Sequence, residues 1–183
     1  MKERRVAMFE QQRHKPLVPL ERPRELVIAC TPLRSNVNLS RIVRAAGCMG
    51  VRRLIACGAA KVVQKIARNS VDDGDGDSAE GEGPGVEIET HRTLPPVLRE
   101  LRANGYQLVG LEQTTNCVSI FDFAFERKTV LVVGNERSGI DEESLRMLHR
   151  VVEIPMFGLP YALNVGTATS MALFEYCRQF PRG

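Results

Sequence analysis

Short apolar runs recur along this chain, ELVIAC (25–30), RRLIACG (52–58), YQLVGLE (106–112), TVLVVG (129–134) and VVEIP (151–155), with helical or polar segments between them. That alternation constrains the fold more than any other feature. Runs of this length, rich in Val, Ile and Leu, read as strands buried on both faces. Strands separated by helices cannot close as hairpins, so the pattern predicts an α/β fold: a mostly parallel sheet flanked by helices.

The intervening segments fit this reading. NLSRIVRAAGCMG (38–50) predicts a helix with Asn38 as its N-cap and Leu39, Ile42, Val43 and Ala46 on one face. KVVQKIA (61–67) reads as a short helix, the Gly/Asp-rich stretch 72–85 as a mobile loop and VEIE (86–89) as a strand. LPPVLRELRANG (94–105) is a helix closed by Gly105, and DEESLRMLH (141–149) a helix with acid in its first turn. A last helix runs from Asn164 to about Gln179, with Val165, Ala168, Ala172 and Tyr176 in register.

Open parallel sheets bind ligands at the carboxyl ends of their strands. Two of those ends carry unusual sequence: GNERSG after TVLVVG, and PMFGLP after VVEI. The first is not GxGxxG, and no acid follows a glycine-rich first turn at the dinucleotide spacing, so a Rossmann cofactor site is not supported. The second opens a run from Ile154 to Phe174 with no charged side chain. A membrane span needs about 20 apolar residues, but Pro155, Gly158, Pro160 and Gly166 break the first half of this run and Asn164, Thr167, Thr169 and Ser170 dilute the second. Two readings remain: a buried strand end, loop and core helix, or a loop that holds an uncharged ligand surface through its backbone.

The 183 residues suffice for one domain with a sizeable core. Cys30, Cys48, Cys57, Cys117 and Cys177 are odd in number and include no CxxC pair, which suggests reduced thiols, no disulfide framework and no zinc or other metal site. The opening MKERRVAMFEQQRHKPL lacks the apolar core of a secretory signal, and a cytoplasmic location is expected. The net charge of +3 is unevenly spread. Between Leu26 and Val71 there is no Asp or Glu, against Arg34, Arg41, Arg44, Arg52, Arg53, Lys61, Lys65 and Arg68. The first 24 residues form a further basic segment, ahead of a domain spanning 25–183, whereas DDGDGDSAEGEG (72–83) concentrates acid. Such asymmetry suits a polyanionic partner, and the prevalence of arginine suits phosphate contact; a solvated basic face is the plain alternative.

Three clusters have chemical potential. Asn38 with Arg44 lies on the first helix, where Arg41 and Arg44 share the polar face and read equally well as solvated surface. Gly134, Glu136 and Gly139 form the second, in which Glu136 either accepts bonds from a ligand or is a solvated turn residue. The uncharged segment is the third. His14, His91 and His149 stand apart in polar contexts, and no Ser-His-Asp arrangement is supported.

In order and spacing, NLSRIVRAAGCMGV, LVVGNERSGI and IPMFGLPYALNVGTATSMALFEYCRQ resemble the three motifs of the SpoU/TrmH family of the SPOUT superfamily. Members are RNA ribose 2'-O-methyltransferases that use S-adenosylmethionine. GYQLVGLEQTTN further resembles the branch acting on a D-loop guanosine of tRNA. The resemblance implies a deep C-terminal trefoil knot, an exception to the rule that chains are unknotted. It also implies a cofactor held largely by the main chain, at Gly134, Ile154, Met156, Leu163 and Leu111. Arg44 matches the family's essential arginine; Asn38 is expected to orient Arg44 or the ribose, Glu136 to contact substrate, and Asn164 to cap the last helix and shape the site. A homodimer acting on RNA is implied, with tRNA favoured over rRNA and one subunit's arginine reaching the other's site. Where the third motif usually reads Ser-Leu-Asn this chain has Ala162-Leu163-Asn164, which raises the alternative of a non-catalytic RNA-binding homodimer that keeps the fold.

Overall fold

The computed structural model describes residues 16–58 and 85–183. The expected helix at 61–67, most of the 72–85 loop and all but the last nine residues of the basic segment 1–24 lie outside them, as do Lys61, Lys65 and Arg68. The elements run β1 (Leu26–Cys30), α1 (Asn36–Cys48), β2 (Arg53–Cys57), β3 (Glu87–His91), α2 (Pro95–Ala103), β4 (Gln107–Leu111), β5 (Val118–Ser119), β6 (Thr129–Val133), α3 (Glu142–Met147), β7 (Arg150–Glu153) and α4 (Val165–Gln179).

All seven strands pair in parallel, in the order β3-β2-β1-β6-β4-β7-β5. The central strands β1 and β6 are buried along their whole length, as continuous apolar runs require when helices cover both faces. Successive residues point to opposite faces. Ile28, Leu131 and Val109 therefore pack with Leu39, Ile42 and Val43 of α1 and with Leu173 and Tyr176 of α4. Ala29, Val130 and Leu108 pack on the other face with Val97, Leu98 and Leu101 of α2. Each fully buried side chain of this size contributes about 1.5–3 kcal/mol.

The helix ends follow local chemistry. Prolines sit in the first turn of α2, where no N–H partner is needed, and Gly105 just past its end takes φ +81°. Asp141 caps α3 by accepting from Ser144 N at 2.9 Å, and Asn164 caps α4 by accepting from Gly166 N at 3.0 Å. One expectation is corrected. Asn38 is not the N-cap of α1: the helix begins at Asn36, and the extended residue Ser35 caps it, its hydroxyl accepting from Asn38 N at 3.4 Å. With the cap already filled, the Asn38 side chain is buried and free to bond elsewhere. The two-residue β5 was not anticipated, being too short to carry a period.

Chain order in the sheet reverses around β1, β6 and β4. Their carboxyl ends, with that of β7, open on one edge of the sheet, where such folds bind ligands.

Candidate active site

A cavity of about 410 Å³ opens at that edge. Leu111 ends β4, Gly134 follows β6, and Ile154, Met156 and Leu163 belong to the segment between β7 and α4; all five expected cofactor contacts line the same space.

The loop after β6 is built so that backbone comes close to the cavity. Asn135 and Gly139 exchange N–H to carbonyl bonds of 3.0 and 2.9 Å, forming a tight antiparallel bridge. Gly139 turns the chain with φ +69°, and a Cβ on Gly134 would lie 2.5 Å from the Gly139 carbonyl carbon, so only glycine fits there. Asn135 secures the turn: its Oδ1 accepts from Arg137 N and Ser138 N at 2.9 and 3.2 Å, and its Nδ2 donates to Pro32 O at 2.6 Å.

Three of the four expected catalytic residues meet in one network. Asn38 donates from Nδ2 to Glu136 Oε1 at 2.8 Å and accepts at Oδ1 from Asn164 Nδ2 at 3.0 Å. Glu136 also accepts from the backbone N–H groups of Arg34 at 2.8 Å and Ser35 at 3.0 Å, the loop that leads into α1. Burial works to raise the Glu136 pKa, but the Arg34 N–H, the Asn38 amide and the Ser35 N–H together hold it below the usual carboxylate value. Glu136 thus bridges the β6 loop and the start of α1, and the Asn38 side chain bonds Glu136 and Asn164. Glu136 and Asn164 both line the cavity.

Arg44 is elsewhere. It lies on the exposed face of α1, outside the cavity lining, with no hydrogen-bond or ion-pair partner among the described residues. Arg41 is exposed on the same helix.

Sequence reasoning missed Glu112, Arg137 and Glu153, which also line the cavity. A Glu closing a strand reads as solvated, but the carboxyl-end rule that singled out GNERSG applies equally to Glu112 and Glu153. Glu112 accepts from Ile140 N at 3.2 Å and from Gln113 N at 3.1 Å. Ala162, the residue that departs from the third motif, borders the cavity as well.

The arrangement suits a flat, uncharged heterocycle against main-chain groups, with carboxylates and an amide network at the rim. That donor set fits an adenosine-containing cofactor.

A family model described as the SpoU rRNA Methylase family matches residues 25–174. The chain is 27% identical over 155 residues to the tRNA (guanosine(18)-2'-O)-methyltransferase of Escherichia coli (strain K12), covering 85% of this chain and 64% of that protein. It thus spans less than two thirds of that relative's length. Among solved structures it is similar to the A. aeolicus TrmH/SpoU tRNA modifying enzyme, at a TM-score of 0.71 and 27% identity over 88% of this chain and 78% of that one. It is also similar to an AdoMet-bound rRNA methyltransferase from Sinorhizobium meliloti, at a TM-score of 0.70 and 25% identity over 92% of this chain and 62% of that one.

Proposed function

This chain belongs to the SpoU rRNA Methylase family, and from that premise we propose that it transfers a methyl group from S-adenosylmethionine to a ribose 2'-hydroxyl of structured RNA, tRNA in preference to rRNA. The observation that carries the proposal is the convergence of Leu111, Gly134, Ile154, Met156 and Leu163 on one cavity beside the Asn38–Glu136–Asn164 network. The named activities of the relatives support the same reading.

S-adenosylmethionine supplies an electrophilic methyl carbon on a sulfonium. The chain's own residues hold and orient. Main chain at Gly134, Ile154, Met156 and Leu163 would hold the adenine, Glu136 and Asn38 fix the β6 loop against α1, and Asn164 ties the start of α4 to Asn38. A ribose hydroxyl is a weak nucleophile until its developing anion is stabilised. Arg44 takes that role: a guanidinium is a permanent cation and a poor base, so it acts by drawing an RNA phosphate and the forming alkoxide into place.

Because Arg44 is exposed and outside its own chain's cavity, the proposal includes a homodimer in which each α1 serves the partner's site. The exposed apolar side chains Val37 on α1, Phe157 and Tyr161 in the loop before α4, and Met171 and Phe174 on α4 support a self-association face. The trefoil knot, the division into a basic segment 1–24 and a methyltransferase domain, and a cytoplasmic setting complete the proposal. Among the described residues, no helix is long and apolar enough to cross a membrane. Ala162 at the cavity favours one second reading, a homodimer that binds RNA without modifying it.

Labelled S-adenosylmethionine, purified protein and unmodified tRNA and rRNA transcripts, followed by nucleoside mass spectrometry, separate the two. A 2'-O-methyl nucleoside is expected, with Arg44→Ala lowering its rate by about 10²–10³-fold while RNA affinity largely persists. Equal inactivity of wild type and variant on every transcript would leave the binding reading.

A further inference from the structure

β4 and β7 pair in register up to Leu111↔Val152, and Glu112 N still donates to Val152 O at 3.0 Å. The next residues are therefore Glu112 on one strand and Glu153 on the other. Leu111 and Val152 pack into the same side of the sheet, so alternation turns both carboxylates to one common side, and both residues line the cavity at the strand ends. Neighbouring strands lie about 4.8 Å apart, a spacing at which like charges repel.

The other charged side chains lining the cavity are Glu136 and Arg137. Glu136 is occupied by three protein donors, and Glu112 takes two backbone N–H groups that fix its position. Glu153 has no side-chain hydrogen bond or ion pair among the described residues. Three carboxylates against one guanidinium leave the cavity short of positive charge, and the Glu112/Glu153 pair is where the deficit is least compensated.

We propose that Glu112 and Glu153 make this cavity select its ligand by charge, favouring the cationic methyl donor over the neutral product of its own reaction. This rests on the methyltransferase reading. In methyl transfer the sulfur–carbon bond breaks, an oxygen–carbon bond forms, the hydroxyl proton leaves to solvent, and sulfonium becomes thioether. S-adenosylmethionine therefore carries one more positive charge than S-adenosylhomocysteine, with nearly the same shape. In so small a cavity no ligand charge is far from the pair. One carboxylate about 7 Å from a unit charge, at an effective dielectric of about 20–40, changes affinity by about 5- to 50-fold. Product release is promoted by the same effect, because the attraction ends when the methyl group leaves.

Isothermal titration of the full chain with each ligand, at fixed ionic strength, tests the proposal. In Glu153→Gln the preference for S-adenosylmethionine over S-adenosylhomocysteine is expected to fall about fivefold or more, with affinity for the thioether changed less than twofold. That retained affinity also shows that the variant is folded. Glu112→Gln combined with Glu153→Gln should lower the preference further. If both ligands weaken equally, or the ratio stays within twofold of wild type, the charge-selection proposal is overturned and the methyltransferase reading stands. If wild type binds neither ligand, both fall.

Discussion

Two loops frame the cavity, and they are built on opposite principles. The loop after β6, residues 134–140, is over-determined: Asn135 and Gly139 bridge each other, Asn135 reaches Pro32, Glu136 takes three donors, and Ile140 N donates to Glu112. The loop between β7 and α4 presents Phe157, Leu159 and Tyr161 at 91%, 75% and 80% exposure. Before its last residue, Asn164, which bonds Asn38, it is tied to another wall of the cavity, among the described residues, by the bond from Gln113 Nε2 to Tyr161 O at 3.2 Å. One loop is shaped by its own fold, and the other offers surface to something else. On the proposed function the first is a preorganised cradle, and the second is the surface we assign to a partner subunit or to RNA.

The sharpest way to break the contrast is to strain the fixed loop. A Cβ at residue 134 would lie 2.5 to 2.8 Å from three main-chain atoms of Gly139 and Ile140, none of which can rotate away. Gly134→Ala is expected to lower stability by about 3 kcal/mol and to abolish binding of S-adenosylmethionine, measured by chemical denaturation and calorimetry. Retained stability with normal binding would show that the bridge yields easily. Asn38→Ala should cost somewhat less, about 2 kcal/mol, because it removes the donor to Glu136 and the acceptor for Asn164 while Ser35 still caps α1. Its denaturation midpoint should fall, and the fall should be largely absent when Glu136 is already Gln, since the two share one network.

The same contrast explains what could be read from the sequence. Strands such as TVLVVG and helices such as LPPVLRELRANG announce themselves because burial on both faces, or on one stripe, dictates a period. The cavity's position followed from glycine and proline at strand ends, because those residues mark main chain in unusual paths. What escaped depended on competition between local and distant partners. Asn38 reads as a helix cap, yet Ser35, three residues earlier, holds that place, and only the fold brings Glu136 and Asn164 within reach. Glu112 and Glu153 look like ordinary solvated residues until strand register sets them side by side. The role assigned to Arg44 came from family resemblance alone, since an exposed arginine on a helix carries no local signal.

Acid should loosen the fixed loop selectively. The Glu136 carboxyl is held below its reference value of 4.5 in the folded chain, so its stabilising contribution is complete above that pH and disappears as pH falls through the lowered folded value. Wild type should therefore lose stability through this group below about pH 4.5, whereas Glu136→Gln should flatten that part of the curve; identical acid limbs would mean that its bonds persist in the neutral form. The exposed loop should answer differently. Phe157→Ser with Leu159→Ser is expected to change monomer stability by less than about 0.5 kcal/mol but to shift sedimentation toward monomer. Unchanged sedimentation would free this loop for contact with RNA.

A catalytic effect without a structural one is expected at the residue where the exposed loop meets the cavity. Ala162 places a methyl group at a position where the family motif usually has a hydroxyl, and that position borders the same space as Leu163 and Asn164. A hydroxyl there adds one hydrogen bond to substrate or cofactor, worth about 0.5–1.5 kcal/mol. Ala162→Ser should accordingly raise kcat/KM by about 2- to 10-fold without altering the denaturation midpoint. The result also bears on the two loops, because a gain would show that the exposed side of the cavity has been left below its catalytic optimum while the cradle has not. A loss would show instead that Ala162 is fitted to its surroundings, with the room left by the missing oxygen used by substrate or by the neighbouring Tyr161.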